Sequence, residues 1–227
     1  MSKPPVGVVI VNWNLKDSLR ETLASFRQVN YPGLQIVVSD NASTDGSIEM
    51  VRTEFPEVHL LTREKGVGYA KGASLGMAFL ADKTKYIFST TNDVLVDPEM
   101  ITALVEYAEA HPDAGVLGSK IYYHNHGDLL WSAGGRMHPL FAHSYHSGWN
   151  RHDAPRYNQV RDCDYVTGCG FLLRTEVARK LNFFNADLVF YSEDADFCYR
   201  VGGLGYPLVY VPRARMWHKP GTPLAND

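Results

Sequence analysis

Through residue 123 the chain alternates short β-branched runs with segments whose apolar residues recur every three or four positions. No other feature constrains the fold as strongly. Val6 to Val11 is a near-unbroken apolar run, as a strand buried on both faces shows. Leu15, Leu19, Leu23 and Phe26 follow at helical spacing. Ile36 to Ser39 reads as a second strand. The next helix carries Ile48, Val51 and Phe55 on one face, with Ser43 or Thr44 as its expected cap. Val58 to Leu61 is a weak third strand, Gly68 to Leu80 a helix and Tyr86 to Ser89 a fourth strand. Asp97-Pro98 predicts another helix start, a capping residue followed by proline at the first helical position. Ile101, Leu104, Val105 and Ala108 form its apolar face, and Val116 to Tyr123 is a fifth strand. Strand–helix–strand repetition returns the chain to the same end of the sheet each time. The expected fold class is therefore α/β, with a mostly parallel, Rossmann-like central sheet and helices on both faces.

After Tyr123 this rhythm stops. Residues 124–160 are rich in His, Gly, Asn, Trp and Tyr without a clean period, and read as a long loop or small subdomain. Order returns with VTGCGFLLR after Tyr165 as a strand and Glu176 to Leu181 as a short helix. Glu193 to Val201 reads as another helix and Pro207 to Val211 as a late strand. Without an interdomain linker, residues 1–227 read as one domain of two halves, 1–123 and 124–227.

Charge narrows the partners. Twenty-two basic against 25 acidic residues leave a net charge of −3. No basic field exists to hold a nucleic-acid backbone, and no polybasic membrane anchor is visible. Three cysteines without a C-x-x-C pair fit a reducing cytosol. No stretch approaches the ~20 apolar residues that a spanning helix needs. The expected location is cytoplasmic, with peripheral contact at the inner face of the membrane left open. A homodimer is also left open.

In open α/β sheets ligands sit beyond the carboxyl ends of the strands. Asn12-Trp13-Asn14, Asp40-Asn41 and Asn92-Asp93 follow three such ends. Turns favour Asn and Asp on their own account, but three clusters at one edge point to a binding crevice. It is not the common dinucleotide type, because Gly66-Val67-Gly68 is displaced from the first strand and Gly72 is out of phase. No P-loop occurs either. Bound phosphates would then need a divalent cation on a carboxylate, for which Asp93 is the candidate. In Ser192-Glu193-Asp194-Ala195-Asp196, Ser192 is an expected helix cap and Asp196 pairs with Arg200 at i, i+4. Glu193 and Asp194 are candidates for a general base. His218 is a second candidate for the cation. Six histidines between His124 and His152 match no standard zinc spacing, and a polar acceptor loop is the expectation.

Taken together these segments resemble the family-two inverting glycosyltransferases of GT-A fold, in particular their rhamnosyltransferase-like branch. The resemblance runs from about Val6 to Pro220. It is carried by VVIVNWN, SDNASTDGS, GVGYAKGASLG, TTNDVLVDP, DYVTGCGFLLR and YSEDADFCYRVGGLGYPLVYVPRARMWH. It implies that Asp40 contacts the nucleotide, with Asn12, Asn14, Asn41 and Asn92 around it. Gly68, Lys71 and Gly168 join as substrate-binding candidates. Asp93 and His218 would hold Mg²⁺ or Mn²⁺, and Asp194 would be the catalytic base. Residues 1–123 become the nucleotide-binding half and 124–227 the acceptor-binding and base-carrying half. The implied partners are a nucleotide-sugar donor and a saccharide or lipid-linked saccharide acceptor. Trp131, Gly134, Gly135 and Trp149 would shape the acceptor site or a lid. Two departures stand out: Asn92-Asp93 is not a full D-x-D, and Ala73-Ser74 replaces a common asparagine. The chain stops soon after His218, as a minimal catalytic domain would. A nucleotidyltransferase and a non-catalytic sugar-nucleotide or carbohydrate-binding module are the rival readings.

Overall fold

The computed structural model describes residues 3–138, 143–188 and 192–219. Tyr191, which opens the YSEDADFCYR segment, and Pro220, at the end of the resemblance, lie outside them. The strands are β1 (Val6–Asn12), β2 (Gln35–Asp40), β3 (His59–Leu61), β4 (Tyr86–Thr91), β5 (Val94–Val96), β6 (Val116–Tyr123) and β7 (Leu129–Ala133). β8 (Gly135–Met137), β9 (Ser144–His146), β10 (Arg151–His152), β11 (Arg161–Cys163), β12 (Gly170–Arg174) and β13 (Leu208–His218) complete them. The helices are α1 (Lys16–Phe26), α2 (Ser47–Glu54), α3 (Tyr69–Leu80), α4 (Met100–Ala110), α5 (Thr175–Lys180) and α6 (Glu193–Gly203). None of them is long and apolar enough to cross a membrane.

The main sheet runs β10-β7-β6-β12-β4-β1-β2-β3. Its nucleotide-type part, β4-β1-β2-β3, is parallel. β12 enters antiparallel between β4 and β6. β13 runs parallel along all of β6, with a register shift between Val211 and Arg215, and its end pairs antiparallel with β5.

Every residue of β1 is buried, and its alternation sorts the two core layers. Val6, Val8 and Ile10 join Leu19, Leu23 and Phe26 of α1, Met50 and Val51 of α2, and Ile101 and Leu104 of α4. Val9 and Val11 face the other way, with Ala73, Met77 and Leu80 of α3, Val177 of α5 and Phe197 of α6. Each fully buried Val, Leu or Phe contributes about 1.5–3 kcal/mol. Gly76 is a close approach between layers, since a Cβ there would stand 2.5 Å from Val9 Cγ1.

Several expectations need correction. Neither Ser43 nor Thr44 caps α2, whose N-cap is Gly46 at φ +86°. Asp45 instead accepts the Ser47 amide at 3.0 Å, which frees Ser43 for the crevice. α4 starts at Met100, later than Asp97-Pro98 suggests, because Asp97 accepts the Glu99 amide in a turn and ion-pairs with Arg215. Ser192 stands at the N-cap of α6, but at φ +69° its side chain caps nothing. The short strand β5 follows the Asn92-Asp93 turn, so the expected fifth strand is β6. Residues 166–169 are not strand; β12 begins at Gly170. The 124–160 stretch is not one long loop, because β7 extends the main sheet and β8 and β9 form a hairpin. The Asp196–Arg200 pair does form, at 2.8 Å.

Candidate active site

The ends of β1, β2 and β4 meet as expected. Asn12 and Asp40 are paired residues of neighbouring strands. The Asn12 amide donates to Asp40 Oδ2 at 2.8 Å and to Ser43 Oγ at 3.0 Å. Asn92 Nδ2 donates to Asn12 Oδ1 at 2.6 Å and to the Asn14 carbonyl at 2.9 Å. Asp40 Oδ1 accepts the Ser43 amide at 2.9 Å, and Asn14 Oδ1 that of Thr44. Asn41 Oδ1 receives the Val67 amide at 2.7 Å, two residues before α3. Asn12, Asp40, Asn41 and Asn92 are all buried and form the floor of the crevice, with Asn12 bonded to both Asp40 and Asn92. Arg63 crosses this floor, donating to the Asp40 carbonyl at 2.6 Å and to Ser39 Oγ at 2.8 Å. Burial lowers the Arg63 pKa, and the nearby Asp40 charge opposes that shift.

Asp93 sits at the next turn. From α1, Thr22 donates to the Val94 carbonyl at 2.7 Å and fixes the turn from below. The far end of the chain arrives through β13, whose His218 pairs in register with Val94. His218 Nε2 lies 3.2 Å from Asp93 Oδ2. Burial pushes the Asp93 pKa up, but His218 and the Thr91 hydroxyl outweigh it and keep the carboxylate below its ordinary range. Burial alone would lower the His218 pKa; the Cys169 thiol and Asp93 raise it to about 10. Trp131 meets the His218 ring edge-to-face at 4.6 Å.

These residues fit a divalent cation. An ionised carboxylate and a ring nitrogen at the same point become a suitable O/N donor pair once a cation displaces the proton that His218 holds against Asp93. Among the described residues no group of three His, Cys, Asp or Glu converges on a metal. The protein would therefore supply two donors and leave the others to ligand oxygens or water. Among the described residues the histidines of the 124–152 run belong to no such group; His152, for one, pairs with Asp128 at the surface.

Asp194, in the first turn of α6, is held by three donors. Its Oδ2 accepts the Tyr165 hydroxyl at 2.7 Å and the Gly168 amide at 2.8 Å, and its Oδ1 accepts the Ala195 amide at 2.8 Å. The Gly168 carbonyl accepts Tyr69 Oη at 2.8 Å, which ties the loop to α3. Burial, then the Asp194 charge, raises the Tyr165 pKa far above its ordinary value, so the phenol stays a donor. Gly135 backs Tyr165 through an isolated bridge. Glu193 differs from Asp194. Burial and the Asp194 charge raise its pKa, and its Oε2 is buried without a partner.

A cavity of about 450 Å³ opens beside Asp194, with Trp131, His146, Tyr165 and Glu193 among its walls. Of the two tryptophans expected at an acceptor site, Trp131 lines it. Trp149 is exposed and donates to Tyr123 Oη. Gly68 stands at φ +80° before α3. Lys71 is exposed and lines a separate cavity of about 590 Å³ with Asn182 and Arg200, away from Asp194. Sequence reasoning missed Arg63, Tyr69, Tyr165 and His146 as parts of the site. Tyr69 lay in GVGYAKGASLG, Tyr165 in DYVTGCGFLLR and His146 in the 124–152 histidine run, all segments already singled out; Arg63 lay in none.

Comparison with known proteins gives the family and the fold. The family model "Glycosyl transferase family 2" matches residues 7–181, ending before α6. A Mycobacterium tuberculosis N-acetylglucosaminyl-diphospho-decaprenol L-rhamnosyltransferase is 26% identical over 240 residues, covering 97% of this chain and 78% of that protein. Among solved structures, a Pyrobaculum calidifontis mannosyltransferase in complex with GDP-Man and Mn²⁺ superposes with a TM-score of 0.71. It is 18% identical, and the match covers 100% of this chain and 59% of the other. GalNAc-T7 with UDP, GalNAc and Mn²⁺ superposes with a TM-score of 0.76 at 16% identity, covering 95% of this chain and 44% of the other. The chain thus spans well under two thirds of both structures.

Proposed function

The chain belongs to glycosyl transferase family 2, and from that premise we propose that it is an inverting transferase acting on a nucleotide-diphosphate sugar. The nucleotide would lie over the floor formed by Asn12, Asp40, Asn41 and Asn92, within reach of Asn14, Gly68 and Arg63. Asp93 and His218 would hold Mg²⁺ or Mn²⁺, which would offset charge developing on the leaving diphosphate. Asp194 would take the proton of an acceptor hydroxyl as that oxygen attacks the anomeric carbon from the face opposite the diphosphate. The hydrogen bonds from Tyr165, Gly168 and Ala195 orient its carboxylate and leave oxygen lone pairs for that proton. Holding the acceptor between Asp194 and the donor supplies the proximity contribution.

One observation carries this reading. A carboxylate fixed by Tyr165 and Gly168 lines a cavity whose Trp131 wall also touches His218 of the cation pair. Likeness to the rhamnosyltransferase, named for a diphospho-decaprenol substrate, supports a lipid-linked saccharide acceptor. Peripheral contact with the inner face of a membrane from a cytoplasmic location follows from that assignment. We read residues 1–123 and 124–227 as the donor and acceptor halves of one catalytic unit.

The test is product analysis with sugar nucleotides and a diphospho-lipid acceptor. Glycoside plus nucleoside diphosphate is expected; pyrophosphate would indicate a nucleotidyltransferase instead. Asp194→Asn should lower turnover by about 10²–10⁴-fold while donor binding persists. Near wild-type turnover in that variant would remove Asp194 from the base role, as full activity after EDTA treatment would remove the cation.

A further inference from the structure

Asp194 occupies one wall of its cavity, and both its oxygens already accept hydrogen bonds. Unused hydrogen-bonding capacity lies on two neighbours. Glu193 Oε2 is buried and unpartnered. A carboxylate oxygen left so is costly until a donor reaches it. His146, at the end of β9, is the second. Its ring packs against Trp131 at 4.4 Å and Tyr165 at 5.5 Å between centroids. Its Nδ1 lies 3.1 Å from Ser132 Oγ. The Ser132 hydroxyl donates to the Gly134 carbonyl at 3.2 Å, so at His146 its oxygen is the acceptor. The tautomer that fits this arrangement carries the ring proton on Nδ1 and leaves Nε2 a bare acceptor. Among the described residues the one hydrogen-bond partner of the ring is Ser132, on Nδ1.

We propose that Glu193 Oε2 and His146 Nε2 form a paired acceptor clamp that selects sugars carrying hydrogen-bond donors beside the reacting hydroxyl. This rests on the reading of Asp194 as the base. The matching group is a neighbouring hydroxyl or an acylamino N–H; a carboxylate or phosphate at that place meets two electron-rich atoms and is rejected. Glu193 is then a specificity-determining residue and Asp194 alone the base. Burial, which lowers the His146 pKa to about 4, keeps the ring neutral as this role requires.

The experiment compares wild type with Glu193→Gln, Glu193→Ala and His146→Phe, using an alkyl-diphospho-N-acetylglucosamine acceptor and analogues lacking one hydroxyl or the acylamino N–H. Each variant should raise the acceptor KM by about tenfold or more, with donor KM unchanged. The analogue missing the clamped donor should lose as much in wild type and lose nothing further in the matching variant. Unchanged acceptor KM in all three variants would overturn the clamp. A Glu193→Gln enzyme that loses turnover at unchanged KM would also overturn it and move the base to Glu193. Wild type that binds sugar nucleotides, shown by thermal shift, yet glycosylates no acceptor would instead sink the transferase reading beneath. A turnover-free check is ¹⁵N NMR of the His146 ring: the Nδ1–H tautomer is expected, and an Nε2–H tautomer would refute the assignment.

Discussion

Tyr165 shows how much a single side chain outside the reacting pair can govern. Its phenol is one of two donors on Asp194 Oδ2, and burial keeps it protonated. Tyr165→Phe removes that donor and lets the carboxylate rotate. Turnover should fall by about tenfold with donor KM unchanged, the loss expected of one charge-assisted hydrogen bond of about 1.5 kcal/mol. His146 makes a prediction of a different kind. Its folded-state pKa is about 4 against an ordinary 6.5. Below pH 6.5 the unfolded chain binds a proton that the folded one refuses, so stability falls as pH drops from 6.5 toward 4. At pH 5 the loss is about 2 kcal/mol relative to pH 7. Urea midpoints at the two pH values should differ accordingly, and by less in His146→Phe.

At the element scale, the hairpin of β8 and β9 is the least expected part, and its Ser144 and His146 line the cavity beside Asp194. Gly135 makes it possible. A Cβ there would stand 2.5 Å from Tyr165 Cδ1 and within 3.0 Å of the backbone oxygens of Tyr165 and Tyr145. Gly135→Ala should destabilise by about 1–3 kcal/mol in chemical denaturation and lower turnover as Tyr165→Phe does. The hairpin was not legible because three-residue strands in a His- and Gly-rich stretch carry no detectable period. β1, α1, α3 and β6 were legible for the opposite reason. Val8 and Ile10 must face α1 while Val9 and Val11 face α3, and that demand writes itself into the order of residues.

Across the whole molecule, the pair proposed to hold the cation joins residues from distant parts of the chain. Asp93 follows β4, His218 ends β13, and the β5–β13 pairing brings them to 3.2 Å. Ligands that bind the folded state raise its stability by about 2.7 kcal/mol at a hundredfold excess over Kd. A chain of this size should then melt about 5–10 °C higher with Mn²⁺ and its matching sugar nucleotide. A scan of GDP-mannose, UDP-N-acetylglucosamine and deoxythymidine-diphospho-rhamnose with Mn²⁺ measures this. Asp93→Ala and His218→Ala should each abolish the Mn²⁺-dependent part of the shift. A full shift in either would separate that residue from the cation.

Residue order alone carried the α/β class, the strand ends bearing Asn12, Asp40 and Asn92, and the candidacy of Asp93, Asp194 and His218. These follow from local periodicity and from side-chain chemistry at chain reversals, both of which a linear text preserves. It did not carry the partners. That Asn12 is spent on Asp40 and Ser43, that Tyr165 holds Asp194, and that Lys71 lines another cavity depend on strand register and on how α3 and α6 pack against the rest of the fold. Register is set by packing between segments far apart in the chain, where a displacement of one residue turns a side chain to the opposite face. No local pattern records it, so the geometry of the site emerges only when the two halves close on each other.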